Sequence, residues 1–353
     1  MIVSCNQQCG KIMPATIKSI AAEAGISYQA VSAVLNGKNN CRVSPQRREQ
    51  ILQIAREQGY QTNFGYKLMR GQTTHTVAII SAMRQIESDS HVRKLVLKLM
   101  QKLNLLGYST YFNNTMTAQK DENIRQIREL INRGTEHFIF IGSPVGHEDI
   151  QQEVNANRRT YIGWNSFFDR DLHSGSLEAS VKLFKFMMEI SGELPVLLMP
   201  NLRSTLNDRL NAIKIAGKDV FDSDTHILEL PPPQWDETDF NRKAFESGYR
   251  GTAELFNRAK KPRSIAYYTD AYALGGALWC HEHNITVGKD VYLSGFNNID
   301  AVRFHPLPIA SAAHPVDECI DILLQEMSSM EKFHKTLELE LFLRPYNSDI
   351  SKP

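Results

Sequence analysis

A short segment near the start of the chain carries side chains that could contact nucleic-acid bases. Its outward residues are Tyr28, Gln29, Ser32 and Ala33. The amide of Gln29 can form two hydrogen bonds with adenine, whereas Tyr28 offers a ring edge and a hydroxyl. The methyl group of Ala33 can make only an apolar contact, such as one with a thymine methyl. Ser27, Ser32 and Asn36 suit contacts with phosphates, which set the register of a protein on DNA.

Two short helices must position these side chains. Thr16 is a candidate N-cap of the first helix, because its hydroxyl can accept hydrogen bonds from amides of the first turn. The apolar face of this helix consists of Ile17, Ile20, Ala21 and Ala24. Gly25 falls at the turn, where glycine takes a positive φ without steric cost. Ser27 caps the second helix, so the pattern predicts a helix-turn-helix whose second helix can enter the major groove.

The stretch TIKSIAAEAGISYQAVSAVLNG, residues 16–37, resembles the start of the LacI/GalR family of bacterial transcription regulators. The family pattern is T-[IL]-x-D-[VI]-A-x-x-A-G-[VI]-S-x-x-T-V-S-x-V-L-N. Ser19 replaces its Asp, Ala30 replaces its Thr, and Ala33 lies where many relatives carry a base-reading Arg. The alternative is an ordinary helical hairpin in a hydrophobic core. The resemblance implies that the operator contacts are made by Thr16, Ser27, Tyr28, Gln29, Ser32, Ala33, Asn36, Asn63 and Leu68.

A third helix and a hinge follow. Ser44 caps this helix and Pro45 takes its first position. Residues 60–71, YQTNFGYKLMRG, match in position the family's hinge, Y-x-P-N-x-x-A-x-x-L-x-x-G. In the family, paired leucines of a dimer enter the minor groove, and such wedges kink DNA. The resemblance implies this role for Leu68, but the spacing from Asn63 is one residue short, so Met69 is a second candidate.

The charge of the chain is unevenly distributed. The 353 residues have a net charge of +1, yet residues 11–72 contain nine lysines and arginines against three glutamates. A basic head on a mildly acidic body is expected where only the head contacts phosphates. No apolar run is long enough to cross a membrane. Five scattered cysteines, and an N-terminus without a secretory apolar core, indicate a cytoplasmic protein.

From residue 75 onward, short apolar strands alternate with amphipathic helices. The segments TVAIIS (76–81) and HFIFI (137–141) are typical of buried parallel strands. Such alternation requires crossover helices on both faces of a sheet, and the segment is too long for one sheet. We therefore expect an α/β protein, in which a helix-turn-helix head precedes a two-lobed core of doubly wound parallel sheets. This core resembles the periplasmic-binding-protein-like core of the same family.

These patterns divide the chain into four regions. They are a disordered extension (1–14), the helix-turn-helix domain (15–61), the hinge (62–74) and an effector-binding and dimerisation core (75–353). The first lobe is expected at about 75–164 and 300–330, and the second at about 165–299 and 331–348.

Residues at strand ends are the candidates for a small-molecule site. Ligands of doubly wound sheets bind at the carboxyl ends of strands, and between two lobes they occupy the cleft. The candidates, which also match positions of the family's effector contacts or could stack on a sugar ring, are Trp164, Asn165, Arg209, Trp235, Asp270, Asn297 and His314. Asn297 replaces a family Asp, and its amide donates as well as accepts. The expected effector is a small polar molecule such as a sugar derivative, although Asp270 could instead merely cap a helix.

The expected partners are a pseudo-palindromic double-stranded operator, the small effector and a second copy of the chain. A dimer is expected because one head contacts few bases, and the C-terminal tail has no leucine heptads for a tetramer. No cofactor, metal or membrane is expected. A periplasmic-type solute-binding protein and an enzyme on the same α/β core are alternatives, although nucleotide-binding and hydrolase motifs are absent from the sequence. The sequence leaves open whether the effector weakens or strengthens operator binding, because the same thermodynamic linkage between the two sites permits either change in affinity.

Overall fold

A computed structural model describes residues 15–36, 43–60, 65, 73–81, 90–113, 117–201, 208–231 and 240–344. Two compact units make up the chain, Met1–Thr74 and His75–Pro353. The predicted head lies in the first unit and the predicted core in the second. The expected extension (1–14) and four candidate residues, Asn63, Leu68, Met69 and Trp235, lie outside the described residues.

Three helices form the head: α1 Ile17–Ala24, α2 Tyr28–Leu35 and α3 Pro45–Glu57. They meet in a small hydrophobic core, to which each helix contributes a fully buried side chain: Ile20, Val31 and Ile51. Because these contacts join all three helices, α3 supports the packing of α1 against α2.

The start of α1 is stabilised by a capping box. The Thr16 amide donates to Ser19 Oγ at 3.0 Å, and the Ser19 amide donates to Thr16 Oγ1 at 3.1 Å. Ser19 therefore supplies the reciprocal acceptor at a position where the family pattern has an Asp. At the other end, Gly25 adopts φ 64°, as a residue without a Cβ does readily.

The core contains twelve strands and ten helices in the described part of the chain. In order they are β1 Thr76–Ser81, α4 Ser90–Leu105, β2 Ser109–Asn113, α5 Lys120–Asn132, β3 His137–Ile141, α6 His147–Ala156, β4 Thr160–Trp164, β5 Arg170–Gly175, α7 Leu177–Ser191, β6 Val196–Pro200, α8 Asp208–Gly217, α9 Ser223–His226, β7 Ile227–Leu230, α10 Phe240–Phe256, β8 Ser264–Tyr267, α11 Asp270–Glu282, β9 Tyr292–Phe296, α12 Asp300–Arg303, β10 Ile309–Ala313, α13 Val316–Glu326, β11 Phe333–Glu338 and β12 Glu340–Phe342.

Two six-stranded sheets form two lobes. The sheet of the first lobe has the order β11-β5-β4-β3-β1-β2, and that of the second lobe has the order β12-β10-β9-β8-β6-β7. All neighbouring strands are parallel except β12, which runs antiparallel to β10. Helices α4 and α13 cover one face of the first sheet, and α5 and α6 cover the other. Helices also cover both faces of the second sheet, so the predicted doubly wound fold is confirmed.

The expected lobe boundaries differ from the observed sheets in three places. Strand β5 pairs with β4 in the first sheet, although the first lobe was expected to end at 164. Strand β10 lies in the second sheet and β11 in the first, the reverse of the expected assignment. The chain therefore crosses between the lobes after β5, β10 and β11. The edge strand β11 is largely exposed and polar, so it lacks the continuous apolar run by which buried parallel strands are recognised.

The described residues lack two other features. Within these ranges, no helix is both long and apolar enough to cross a membrane. The same residues contain no group of three or more His, Cys, Asp or Glu side chains placed to hold a metal ion.

Candidate functional site

The exposed face of α2 carries the two side chains predicted to read bases most directly. Tyr28 is 44% exposed, and Gln29 is exposed beside it in the first turn of the helix. Ala33 follows one turn later and is half-buried. Because the N-terminal residues of a recognition helix reach the base edges, this placement suits direct readout in the major groove.

The smaller polar side chains of the head also have structural roles. The Ala30 amide donates to Ser27 Oγ at 3.3 Å, which caps α2. The Asn36 side-chain amide donates to the Ser32 carbonyl at 2.7 Å. The hydroxyls of Thr16 and Ser27 accept hydrogen bonds in the caps, and each still has its own proton to donate. Donation of these protons to phosphates therefore stays a prediction.

A cavity of about 610 Å³ lies between the two lobes of the core. We call it the inter-lobe cavity; its lining includes His91, Arg93, Asn297, Asn298 and His314. These residues belong to the start of α4, the loop between β9 and α12, and the end of β10. The volume lies within the range of small-molecule sites, which is roughly 300–1,000 Å³. Two of the predicted effector residues, Asn297 and His314, therefore line a cavity of suitable size.

Three aromatic rings meet at the edge of this cavity. His91 stacks on His314 with ring centroids 4.4 Å apart, and Trp164 lies 5.2 Å from His314 and 6.0 Å from His91. The Nδ1 atoms of both histidines are buried and have no hydrogen-bond partner in the part of the chain that the structure describes. His91 could not be predicted from the sequence, because it lies at the start of a helix and no motif surrounds it.

Burial keeps the two imidazoles neutral. It lowers the pKa of His91 to about 4, and the positive charge of Arg209 lowers this pKa further. Burial also lowers the pKa of His314 well below its usual value, and the neighbouring His91 and the positive charge of Arg209 add to that effect. A neutral imidazole has one donor and one acceptor nitrogen. The pair can therefore exchange hydrogen bonds with a polar ligand that carries hydroxyl groups.

The side chain of Arg209 lies between two aromatic rings. Its guanidinium carbon is 4.2 Å from the centroid of the Tyr268 ring and 4.1 Å from that of Phe296. Such stacking holds the planar group in one orientation. Because Arg209 also lowers the pKa of both histidines, its charge acts on the same region as the inter-lobe cavity.

Asp270 has a supporting role that differs from the predicted effector contact. The carboxylate is fully buried. It accepts from the Ile299 amide at 2.8 Å and from the Ser311 hydroxyl at 2.8 Å. Burial raises the pKa of Asp270 to about 7. One oxygen thus holds the loop that carries Asn297 and the other contacts β10, and Asp270 is not among the residues that line the inter-lobe cavity.

Trp164 and Asn165 are fixed by strand β5. The indole Nε1 of Trp164 donates to Ser174 Oγ at 3.1 Å, and the Ser174 amide donates to Asn165 Oδ1 at 2.7 Å. Asn165 adopts φ 51°, a left-handed conformation that asparagine tolerates better than most residues. The polar ends of both side chains are therefore engaged within the first lobe, while the indole ring remains packed beside His314.

Several buried hydroxyl groups follow the carboxyl ends of strands. Ser143 follows β3, Thr269 follows β8, and Tyr272 lies in the first turn of α11. Among the described residues, none of these hydroxyls has a hydrogen-bond partner. Leaving a buried hydroxyl unpaired costs about 1–3 kcal/mol, so a ligand that paired with these groups would recover that cost. Polar residues directly after apolar strands are the sequence signal that could have identified them.

Comparison with known proteins agrees with this architecture. Residues 16–63 match the family model of bacterial regulatory proteins of the lacI family, and residues 226–340 match that of a periplasmic binding protein-like domain. The ribose operon repressor of Haemophilus influenzae is 21% identical over 92% of this chain and 96% of its own length.

Two solved structures share the fold. The Lac repressor bound to ONPG in the repressed state aligns with a TM-score of 0.72 and 17% identity, covering 94% of this chain and 99% of the repressor chain. A LacI family regulator from Enterococcus faecium with bound ribose aligns with a TM-score of 0.60 and 18% identity, covering 77% of this chain and 98% of that one. The matched head and the matched core lead to one conclusion: the chain joins a helix-turn-helix domain of the lacI family to a periplasmic binding protein-like domain, and it is similar over nearly its whole length to repressors of the LacI family.

Proposed function

We propose that this chain is a transcriptional repressor that binds a pseudo-palindromic operator as a homodimer in the cytoplasm. The best support for the proposal is that Tyr28 and Gln29 are exposed at the start of a capped helix in the head. In a dimer, two such helices would contact two half-sites about one helical turn apart. Leu68 or Met69 would then act as the minor-groove wedge.

We also propose that a small polar effector, a sugar or a sugar derivative, controls the affinity for the operator. Among the described residues, the Nδ1 atoms of His91 and His314 and the strand-end hydroxyls have no hydrogen-bond partner, and with the stacked Arg209 they support this proposal. Sugars present many hydroxyl groups and apolar ring faces, which suits alternating polar and aromatic side chains. One relative described above is a ribose operon repressor, and one structural neighbour contains bound ribose.

Replacing Gln29 tests how the operator is read. After selection of bound sites from random DNA, Gln29→Ala should weaken binding to the selected site by about 1–3 kcal/mol and relax the preference at one base pair of each half-site. Fluorescence anisotropy on a panel of single-base variants of the site measures both effects.

Gln53→Ala is the matched control, because Gln53 is exposed on α3 rather than α2. It should leave the base preferences unchanged. If Gln29→Ala weakens binding equally to every DNA sequence, the side chain does not read a base and this part of the proposal is wrong.

A further inference from the structure

A second, smaller cavity lies in the first lobe, at the opposite edge of the sheet from the inter-lobe cavity. Its volume is about 160 Å³. The residues around it include the starts of β4 and β5 and the loop between α13 and β11. We call it the amino-edge cavity. The usual ligand site of a doubly wound sheet lies at the carboxyl ends of the strands, whereas this cavity lies at their amino ends.

Positive charge dominates the lining of the amino-edge cavity. Arg159, Arg170 and Lys332 line it, whereas Asp169 supplies the one lining carboxylate. Asp169 already accepts a hydrogen bond from the Tyr161 hydroxyl at 2.5 Å. Within the described residues, neither Arg159 nor Lys332 forms an ion pair. The lining therefore carries an excess of positive charge.

Arg170 is the central group of this cluster. Its side chain is only 3% exposed. Its Nε donates to the Tyr161 carbonyl at 2.9 Å and its Nη2 to the Glu326 carbonyl at 2.8 Å. A Glu326 carboxylate oxygen lies 3.6 Å from Nη2 and balances part of the charge. The other terminal nitrogen, Nη1, is buried and has no hydrogen-bond partner among the residues described.

Arg159 adds a second unused donor. Its Nε is buried and likewise has no partner in the described part of the chain. Burying an N–H group of a charged side chain without an acceptor is costly. Both arginines line the amino-edge cavity, and arginine forms short, charge-assisted hydrogen bonds with phosphate and carboxylate oxygens.

We propose that the amino-edge cavity binds a small tetrahedral oxyanion, either inorganic phosphate or the terminal phosphoryl group of a small phosphate ester. Arg159, Arg170 and Lys332 against Asp169 and Glu326 leave one net positive charge, which has the sign that a phosphate monoester requires near neutral pH. The volume corresponds to about five water molecules and is smaller than the usual ligand pocket. The bound anion would connect the α6–β4 turn, β5 and the α13–β11 loop. Binding of the anion here does not require a ligand in the inter-lobe cavity.

Isothermal titration calorimetry of the full chain with inorganic phosphate tests this proposal, with sodium chloride at matched ionic strength as the reference. We expect one phosphate per chain. Arg159→Gln and Lys332→Gln should each weaken the affinity about tenfold, because each removes a charge-assisted contact. Asp169→Asn should strengthen it, because it removes the one carboxylate of the lining. A gain of affinity cannot result from misfolding, so this variant keeps the test informative if the others unfold.

Arg158→Gln is the matched control, because Arg158 is an exposed neighbour that does not line the cavity. It should bind phosphate as the parent chain does.

Glycerol phosphate and acetate serve as further ligands. Binding of glycerol phosphate as tight as that of phosphate supports the ester as the source, and weaker binding supports the free ion. No phosphate binding above the chloride reference, equal losses in Arg158→Gln and Arg159→Gln, or a preference for acetate would each overturn the proposal.

Discussion

His91 and His314 place two neutral imidazole rings in contact at the edge of the inter-lobe cavity. The two residues are far apart in sequence and come from different elements, α4 and the end of β10. Burial is the main reason for their lowered pKa values, and Arg209 opposes protonation of both rings. A positive charge on one ring would also oppose protonation of the other ring. This part of the molecule should therefore be the first part of the cleft to lose stability in acid.

Replacing His314 tests this consequence. Below pH 6.5 the unfolded chain binds protons at these histidines that the folded chain does not bind, so their contribution to the free energy of unfolding falls as the pH falls. Between pH 7 and pH 5, one such histidine accounts for roughly 2 kcal/mol. In His314→Gln, the loss of stability between these pH values should be smaller by about that amount. Urea unfolding at both pH values measures it.

His281→Gln is a suitable control, because His281 is exposed on α11. It should keep the pH dependence of the parent chain. An unchanged pH dependence in His314→Gln would mean that burial does not keep this imidazole neutral.

At the scale of elements, the loop between β9 and α12 positions the polar groups of the cavity. Asn297 and Asn298 adopt φ 91° and 42°. Their backbone amides donate to the Ala312 carbonyl at 2.6 Å and to Ser311 Oγ at 3.0 Å. Asp270 supports the same loop from α11 through the Ile299 amide. Left-handed backbone at two successive residues persists only where such contacts over-determine it.

Asp270→Asn tests this support through its pH dependence. Burial raises the pKa of Asp270 to about 7, so the folded chain holds a proton that the unfolded chain releases above about pH 4. The contribution of this carboxyl to the free energy of unfolding therefore falls as pH rises from about 4 to 7. Between pH 5 and pH 8, Asp270→Asn should gain roughly 2–3 kcal/mol relative to the parent chain, as measured by urea unfolding.

Asp300→Asn, at an exposed carboxylate of the same region, provides the comparison. It should follow the parent chain at both pH values. If Asp270→Asn does not gain stability relative to the parent chain at higher pH, the carboxyl of Asp270 is ionised in the folded protein over the whole range.

At the scale of the whole molecule, three chain crossings join the two lobes. They follow β5, β10 and β11, and the inter-lobe cavity lies beside the second of them. A ligand that contacts both lobes would favour the closed arrangement, because closure adds contacts that the open arrangement lacks. Under the proposed function, binding of the effector and binding of the operator would be linked, and each would change the affinity of the other by the same factor.

A series of sugars tests this linkage. We expect at least one sugar or sugar derivative to raise the Tm of the full chain and to change its operator affinity by about 5- to 150-fold. Asn297→Gly should lower the affinity for that ligand about tenfold, since it removes the amide while glycine tolerates the positive φ. Thermal shift and fluorescence anisotropy supply the measurements.

Asn284→Gly is the matched control, because Asn284 also has a positive φ but does not line the cavity. It should bind the sugar as the parent chain does. The absence of a thermal shift with every sugar in the series would contradict a carbohydrate effector.

The head and the alternation of strands and helices could be predicted from the sequence because their signals are local. Caps such as Thr16 and Ser27 and apolar spacing within one helix depend on residues a few positions apart. The edge strand β11 could not be predicted in this way, because it lacks a continuous apolar run. The lobe boundaries were wrong because they depend on which sheet each strand joins, and local periodicity does not specify the pairing.

The sequence by itself determined the resemblance to the LacI family, the basic head and the doubly wound class of the core. Only the tertiary structure decided that His91 meets His314, that Asp270 supports a loop, and that Arg159, Arg170 and Lys332 surround a common cavity. The physical reason is that local structure follows from short-range backbone and side-chain preferences. A site is made by residues that are distant in sequence, and the crossings and sheet pairing of the whole chain bring them together.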